Sequence, residues 1–389
     1  MSKVEHFSRS IRIERPAAEV FAWHERPGAL ARLCPPWENV QLVSSTGGVR
    51  DGARVTLRNK VGPFWTTWKV EHRDFIAGQQ FRDVLLSGPF ARWEHLHRVV
   101  PEGPDACTLI DEISYQLPGG PLGRVLGGGV ARRKLQQLFS WRHATTKADL
   151  EVNEVVRKAP PMRVLIAGAS GMIGQTLIPL LQTQGHRVIR LVRRAAKNDT
   201  ELFWDPSQGQ LEVDALEGID AIVNLSGENI AGGRWTDARR EAIFASRVDA
   251  TRTLVAAMQQ MTRPPRVFVS ASAVGFYGDR GDDVVTEDSG IGHGFLPEVC
   301  LAWETHADGA RTLGVRTAIV RFGVVLSPAG GALGKLLPIF KLGAGGPVGG
   351  GAQWMSWIGI DDAIGAINFA LCDPAADGVF NLVAPVPVT

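Results

Sequence analysis

Three glycines at three-residue spacing, Gly168, Gly171 and Gly174, follow a short apolar run, Met162 to Ala167. Apolar Met172, Ile173, Leu177, Leu180 and Leu181 then recur at helical intervals up to Gly185, and Val188 to Val192 reads as a second strand. Strand, glycine turn, helix and strand make one βαβ unit. The first glycine lets the chain turn out of the strand, the second lets backbone N–H groups approach a pyrophosphate, and the third lets the helix pack on the sheet. Free N–H donors and the helix dipole at the helix start suit a phosphate. Gly168, Ser170, Gly171, Met172, Ile173 and Gly174 are therefore the candidate cofactor-binding residues. Dinucleotide choice is set about 20 residues further on, where an acid would hold a ribose 2′-OH. That place holds Arg193 and Arg194, with Lys197 nearby, and two guanidiniums favour a 2′-phosphate. The expected cofactor is NADP(H).

Further candidates lie at the ends of later apolar runs. Ile219 to Leu225, IDAIVNL, reads as a buried strand, and Leu225, Ser226 and Gly227 fall at its C-terminal end, where doubly wound sheets bind ligands. Arg266 to Ala271 reads as another strand and leads to Ser272 and Tyr277 in SASAVGFYG. Ser272 and Tyr277, at and just beyond the end of that strand, are the candidate catalytic residues, with packing as the commoner role for an aromatic such as Tyr277.

At 389 residues, 44% of them apolar, the chain has material for two domains. A net charge of +2 implies no general attraction to nucleic acid. Cys34, Cys107, Cys300 and Cys372 are scattered without a CxxC pair, which fits a reducing cytoplasm and argues against a zinc site or a disulfide framework. No apolar run approaches membrane-spanning length, and the N-terminus has no apolar signal core. The expected location is cytoplasmic.

Residues 1–150 read as a separate α+β domain: a strand over Glu5 to Arg15, two helices after Pro16, about six strands between residues 38 and 117, and, after a glycine-rich turn, a closing helix from Val130 to Leu150. Residues 151–161, EVNEVVRKAPP, read as a linker, and residues 162–389 as an α/β domain with a mostly parallel sheet. In the first domain Trp65, Trp68, Trp93, His95 and His97 are candidate pocket residues. His95 and His97 share a strand face, but no third ligand for a metal is identifiable, so no metal site is predicted.

The element order of residues 5 to 150 and the opening SIRIERPAAEVFAW resemble the helix-grip fold of the START and polyketide-cyclase-like superfamily. That resemblance implies a cavity for a hydrophobic small molecule. From Met162 onward, GASGMIG, WDP, VNLSGENI, the Ser246-Arg247 pair, SASAVGFYG, FLPEVCLAWE, RFGVVLSPAGGALGKLLPIFKLG and WIGIDD resemble the epimerase-like family of the extended short-chain dehydrogenase/reductase superfamily. The resemblance implies a Rossmann-type doubly wound sheet preceded here by the helix-grip domain, a nicotinamide cofactor and a small-molecule substrate that the sequence does not name.

The superfamily's proton-transfer pair, YxxxK, is absent. With Glu304 as anchor, the tyrosine position falls on Leu296 and the lysine position on Cys300, and no tyrosine follows Tyr277. Three readings stay open. Another donor serves an epimerase/oxidoreductase-like reaction, with Tyr277, His293, Glu298 and Cys300 as candidates; the domain binds NADP(H) silently as a sensor or scaffold; or ordered water acts beside Ser272. A carrier of a hydrophobic ligand, using the first domain, is a further class. Two more departures from the family pattern are Gly359 in place of the histidine of W-I-H-I-D-D, and a stop at Val388-Thr389 where the family continues. The glycine-dense stretch Gly343 to Gly351 is expected to be a mobile lid over substrate.

Overall fold

The computed structural model describes residues 3–347 and 349–389, with the backbone alone at Val61. Val348, within the stretch expected to form a lid, lies outside the described residues. The chain divides into two compact units, Met1–Val152 with Gln182–Gln184, and Asn153–Leu181 with Gly185–Thr389.

The first unit runs β1 (Glu5–Ile13), α1 (Ala17–Glu25), α2 (Ala29–Arg32), β2 (Val40–Ser45), β3 (Arg54–Val61), β4 (Phe64–Ile76), β5 (Gln80–Ser87), β6 (Arg92–Pro101), β7 (Cys107–Gln116) and α3 (Gly120–Leu150). Its sheet has the order β1-β7-β6-β5-β4-β3-β2 and is antiparallel throughout. The period of two is clearest in β7, where Cys107, Leu109, Asp111, Ile113 and Tyr115 are buried and alternate with half-buried residues. Leu135 and Phe139 of α3 pack on Ile113 and Tyr115, while Trp23, Phe21 and Val20 of α1 join Ile13, Phe81, Val99 and Leu109 in a second cluster.

The helix-grip order is the one expected, but α3 begins at Gly120 rather than Val130. The segment expected to be a glycine-rich turn is its first third. The turn itself shrinks to Pro118–Gly120, with φ 79° at Gly119 and 61° at Gly120, and Pro121 occupies the first turn of the helix, where a missing N–H is harmless. Gly123, Gly127, Gly128 and Gly129 each cost about 1 kcal/mol relative to alanine, which is why the sequence reads as a breaker there. The end of α3 is tied down by a buried ion pair: Arg32 donates from Nε to Asp149 Oδ2 (2.9 Å) and from Nη2 to Asp149 Oδ1 (2.7 Å).

The second unit runs α4 (Glu154–Lys158), β8 (Arg163–Ala167), α5 (Met172–Thr183), β9 (Arg187–Val192), β10 (Glu201–Asp205), β11 (Gln210–Leu211), β12 (Ala221–Asn224), α6 (Asp237–Gln260), β13 (Val267–Ala273), α7 (Phe295–Asp308), β14 (Arg316–Phe322), β15 (Val324–Leu326), α8 (Gly331–Lys341), β16 (Trp357–Gly359), α9 (Ile360–Cys372) and β17 (Gly378–Leu382). The main sheet has the order β11-β10-β9-β8-β12-β13-β14-β17, parallel except for β11. Near-continuous apolar strands such as VLIA and AIVN follow from burial on both faces. Leu177, Leu181, Ile364 and Ile367 belong to the core of one face, and Leu254, Met258 and Ala307 to that of the other. The α5 segment falls where the periodicity predicts it; α6 starts at a Thr236 cap whose Oγ1 accepts from Arg239 N–H. Strand order reverses between β8 and β12, which makes the C-terminal ends of these two strands the switch point of the sheet. Among the described residues no helix is long and apolar enough to cross a membrane.

Removing one partner of a buried ion pair strands the other charge. Arg32→Met is expected to lower the stability of the first unit by about 3–5 kcal/mol, read as a shift of the urea midpoint of the full chain. An unchanged midpoint would show that α3 does not depend on this pair.

Candidate functional site

The glycine turn is built by steric necessity. Gly168 has φ +80°, and a Cβ there would lie 2.5 Å from the Leu225 carbonyl oxygen and 3.0 Å from Ser226 N. A Cβ at Gly174 would lie 2.5 Å from the Gly168 carbonyl oxygen and 2.9 Å from Ala169 Cα. Gly171 N–H donates to the Gly168 carbonyl (3.0 Å) and closes the turn, leaving Gly171 and Ser170 exposed. Helix geometry leaves the amides of Met172, Ile173 and Gly174 without intrahelical acceptors. Ser226 Oγ is buried without a hydrogen-bond partner. An anionic ligand with hydroxyl groups fits this cradle: bare amides on one side and an unpartnered hydroxyl on the other.

The loop after β12 is held from behind. Ser226 N–H donates to Asn224 Oδ1 (3.1 Å), and Asn224 Nδ2 donates to Thr251 Oγ1 (2.8 Å). Glu228 N–H donates to Ser246 Oγ, and Arg247 Nη2 donates to the Glu228 carbonyl. Arg247 lies over the Trp303 ring, and its guanidinium occupies the space a Cβ at Gly227 would need.

The paired arginines at the end of β9 divide. Arg194 donates through both Nη atoms to Glu201, at 2.7 Å each. These bonds, with the Lys197 amide, pull the Glu201 carboxyl down to about 2. Arg193 is exposed and makes no side-chain hydrogen bond among the described residues; its charge acts on Asp205.

Ser272 and Tyr277 belong to one buried polar network. Ser272 Oγ donates to Glu304 Oε1 (2.5 Å), and Arg321 grips the same carboxylate from Nε (2.8 Å) and Nη2 (2.7 Å). Arg321 Nη1 donates to the Tyr277 hydroxyl (2.8 Å), which donates to Asn381 Oδ1 (2.7 Å). Arg321 and Asn381 are partners the sequence reading missed. The signal was an arginine in the otherwise apolar β14, TAIVRF, where burial demands a counter-ion. The helix register places Leu296 and Cys300 against the end of β13: a Cβ at Gly275 would lie 3.5 Å from Leu296 Cβ, and Cys300 Sγ donates to the Ala273 carbonyl (3.7 Å). Burial, chiefly, pushes the Cys300 thiol up to about 11.

In the first unit Trp65 is exposed, with the Arg58 guanidinium 5.0 Å over its ring, and Trp68 meets Trp93 edge to face at 5.4 Å. His95 and His97 share a buried face, and the missing acid partners stand opposite them in register. Asp83 of β5 pairs with His95, and Asp111 of β7 pairs with His97. The third ligand that the sequence did not identify is Asp83, whose carboxylate and the two imidazoles bring ligand atoms within 4.8 Å of one another. No linear spacing reveals it, since the acids come from other strands. Asp111 lies 2.7 Å from His95 Nε2, 2.9 Å from His97 Nδ1 and 2.5 Å from His143 Nε2 of α3. Burial works against a charged His97, but Asp111 and Asp83 outweigh it and push its pKa up to about 9, while burial and the charge of His97 push His95 down to about 4.

The fold and switch point define a Rossmann-type protein of the extended short-chain dehydrogenase/reductase kind, preceded in the same chain by a helix-grip unit. Residues 164–382 match the NAD dependent epimerase/dehydratase family, and residues 4–151 match the polyketide cyclase/dehydrase and lipid transport family. The chain belongs to the NAD-dependent epimerase/dehydratase family. An epimerase family protein of Mycobacterium bovis is 44% identical over 226 residues, 58% of this chain and 74% of that protein. The crystal structure of a nucleoside-diphosphate sugar epimerase from Corynebacterium glutamicum matches 98% of this chain and 79% of its own, with a TM-score of 0.83 and 35% identity. The human epimerase family protein SDR39U1, solved with NADPH, matches 59% of this chain and 76% of its own, with a TM-score of 0.53 and 34% identity.

With its pKa near 11, Cys300 holds only about one thiolate in a thousand at pH 8. Iodoacetamide at that pH is expected to leave Cys300 unmodified in the native protein and to modify it after denaturation, as read by peptide mass spectrometry. Rapid native labelling would return Cys300 to the list of nucleophiles.

Proposed function

We propose that the second unit binds NADP(H) and carries out an epimerase- or oxidoreductase-like reaction on a small molecule without the Tyr-Lys pair. One observation carries the reading: the glycine turn after β8 lies against Leu225–Ser226 after β12 at the reversal of strand order, where the start of α5 and the unpartnered Ser226 hydroxyl both fall. The binding of NADPH by human SDR39U1, 34% identical, supports the choice of cofactor.

Arg193 is the group available for a 2′-phosphate, since it is exposed and Arg194 is committed to Glu201. NADP(H), when bound, supplies or accepts a hydride at its nicotinamide ring. Ser272 has its proton on Glu304, so toward a ligand its oxygen presents lone pairs. Such a serine accepts from a substrate hydroxyl and relays its own proton to Glu304, a direction that suits oxidation of an alcohol. Arg321 holds the receiving carboxylate, and Tyr277, with its hydroxyl both donating and accepting, positions Arg321. A cytoplasmic setting agrees with four free cysteines.

A second reading, NADP(H) binding without chemistry, is favoured by the occupation of the usual Tyr and Lys positions by Leu296 and Cys300. Single-turnover assays separate the two. The enzymatic reading predicts reduction of NADP⁺ with some members of an alcohol panel, or in the reverse direction oxidation of NADPH with the matching carbonyls, and loss of at least about tenfold in rate for Ser272→Ala at unchanged cofactor affinity. Tight NADPH binding with no hydride transfer to any compound would leave the sensor reading standing.

For the cofactor, calorimetric titration is expected to give tighter binding of NADPH than of NADH. Arg193→Ala should weaken NADPH by about 5–20-fold, corresponding to about 1–2 kcal/mol for one charge-assisted contact, with NADH unchanged. Arg194→Ala should lower thermal stability instead, because it leaves the buried Glu201 short of a partner. Preference for NADH would contradict the assignment.

A further inference from the structure

The first unit carries a group of side chains that the proposed chemistry of the second does not use. Three of its atoms converge. His97 Nε2 lies 3.4 Å and His95 Nδ1 3.8 Å from the same oxygen, Asp83 Oδ2. Ligand atoms of the three residues all lie within 4.8 Å of one another. Ligands about 2.1 Å from a tetrahedral ion stand about 3.4 Å apart, which the His97–Asp83 spacing matches and the His95–Asp83 spacing exceeds by a few tenths of an ångström.

The outer contacts are arranged as a metal site requires. The remaining ring nitrogens, His95 Nε2 and His97 Nδ1, both meet Asp111 Oδ1, at 2.7 and 2.9 Å. A carboxylate on the far nitrogen fixes the tautomer and aims the near nitrogen's lone pair inward. Asp111 Oδ2 is itself held by His143 Nε2 at 2.5 Å, and His72 Nδ1 lies 2.7 Å from Asp83 Oδ1. Both histidines are thus backed by Asp111 of β7, which His143 of α3 meets in turn, and Asp83 is backed by His72 of β4. His97 is further fixed by stacking on Phe81, with ring centroids 4.3 Å apart, and His95 by the edge of Phe139 at 5.1 Å. The histidines are buried, at 2% exposure for His95 and 7% for His97, which removes water as a competitor for their nitrogens.

We propose that Asp83, His95 and His97 bind one divalent first-row transition ion inside the helix-grip unit, with Asp111 holding the two imidazoles from behind. Two imidazoles and one carboxylate suit Zn²⁺, Fe²⁺ or Co²⁺, and do not suit Mg²⁺ or Ca²⁺, which prefer all-oxygen sites.

The test uses the full chain purified without a polyhistidine tag, stripped with a chelator and titrated with Zn²⁺ and with Co²⁺. The expected result is about one ion per chain retained through gel filtration, and a raised unfolding midpoint with Zn²⁺. Asp83→Asn should weaken binding by about 100-fold or more, and Asp111→Asn by about 10–100-fold. Should either variant fail to fold, X-ray absorption of the Co²⁺-loaded wild type decides, with two imidazoles per ion expected. Stripped wild type that takes up no ion, undiminished affinity in folded Asp83→Asn, or a Co²⁺ spectrum without imidazole scattering would each overturn the proposal.

Discussion

The second unit depends on one close approach. Backbone after β8 and backbone after β12 come so near that a single Cβ at Gly168 would collide with the Leu225 carbonyl. That approach keeps the two strand ends side by side where the sheet changes direction, and it brings the amides that open α5 next to Ser226. Gly174 enforces the second half of the arrangement, since the helix could not start so close to the turn with a side chain there. The phosphate-binding character of the crevice is therefore a consequence of backbone packing, and the side chains nearby adjust it.

Buried charge organises the chemistry of both units, by different means. In the second unit Glu304 takes three donors, from Ser272 and twice from Arg321, so a carboxylate sits in the core without an unmet partner. Arg321 then passes the constraint to Tyr277 and Asn381, linking β13, α7, β14 and β17 through side chains. In the first unit the cross-strand register does the same work. His72, Asp83 and His95 follow one another across β4, β5 and β6, and His97 faces Asp111 across β6 and β7. A face that would otherwise be uniformly apolar, with Leu109 and Ile113 on either side of Asp111, becomes a polar centre between two hydrophobic clusters.

What the sequence disclosed follows from the range of the interactions involved. The βαβ unit and the run of about six strands between residues 38 and 117 are set by neighbours a few residues apart, and they were legible. The first third of α3 was not, because Gly127, Gly128 and Gly129 argue locally against a helix that the rest of α3 carries through. The commitment of Arg194 to Glu201, the Arg321 partnership and the Asp83–His95–His97 group were not legible as sites, because each joins different strands or a strand and a helix. Asp111 left a trace nonetheless: an acid in the buried register of a strand needs partners, and a search for them across the sheet leads to His95, His97 and His143.

The central claim is that the bare amides opening α5 receive a pyrophosphate. Amide hydrogen exchange of the full chain with and without saturating NADPH tests it at the residues concerned. The account predicts slowed exchange concentrated in residues 170–174, with a smaller effect at 225–227. Slowing elsewhere with 170–174 unaffected, or no slowing at any concentration of NADPH, would contradict it.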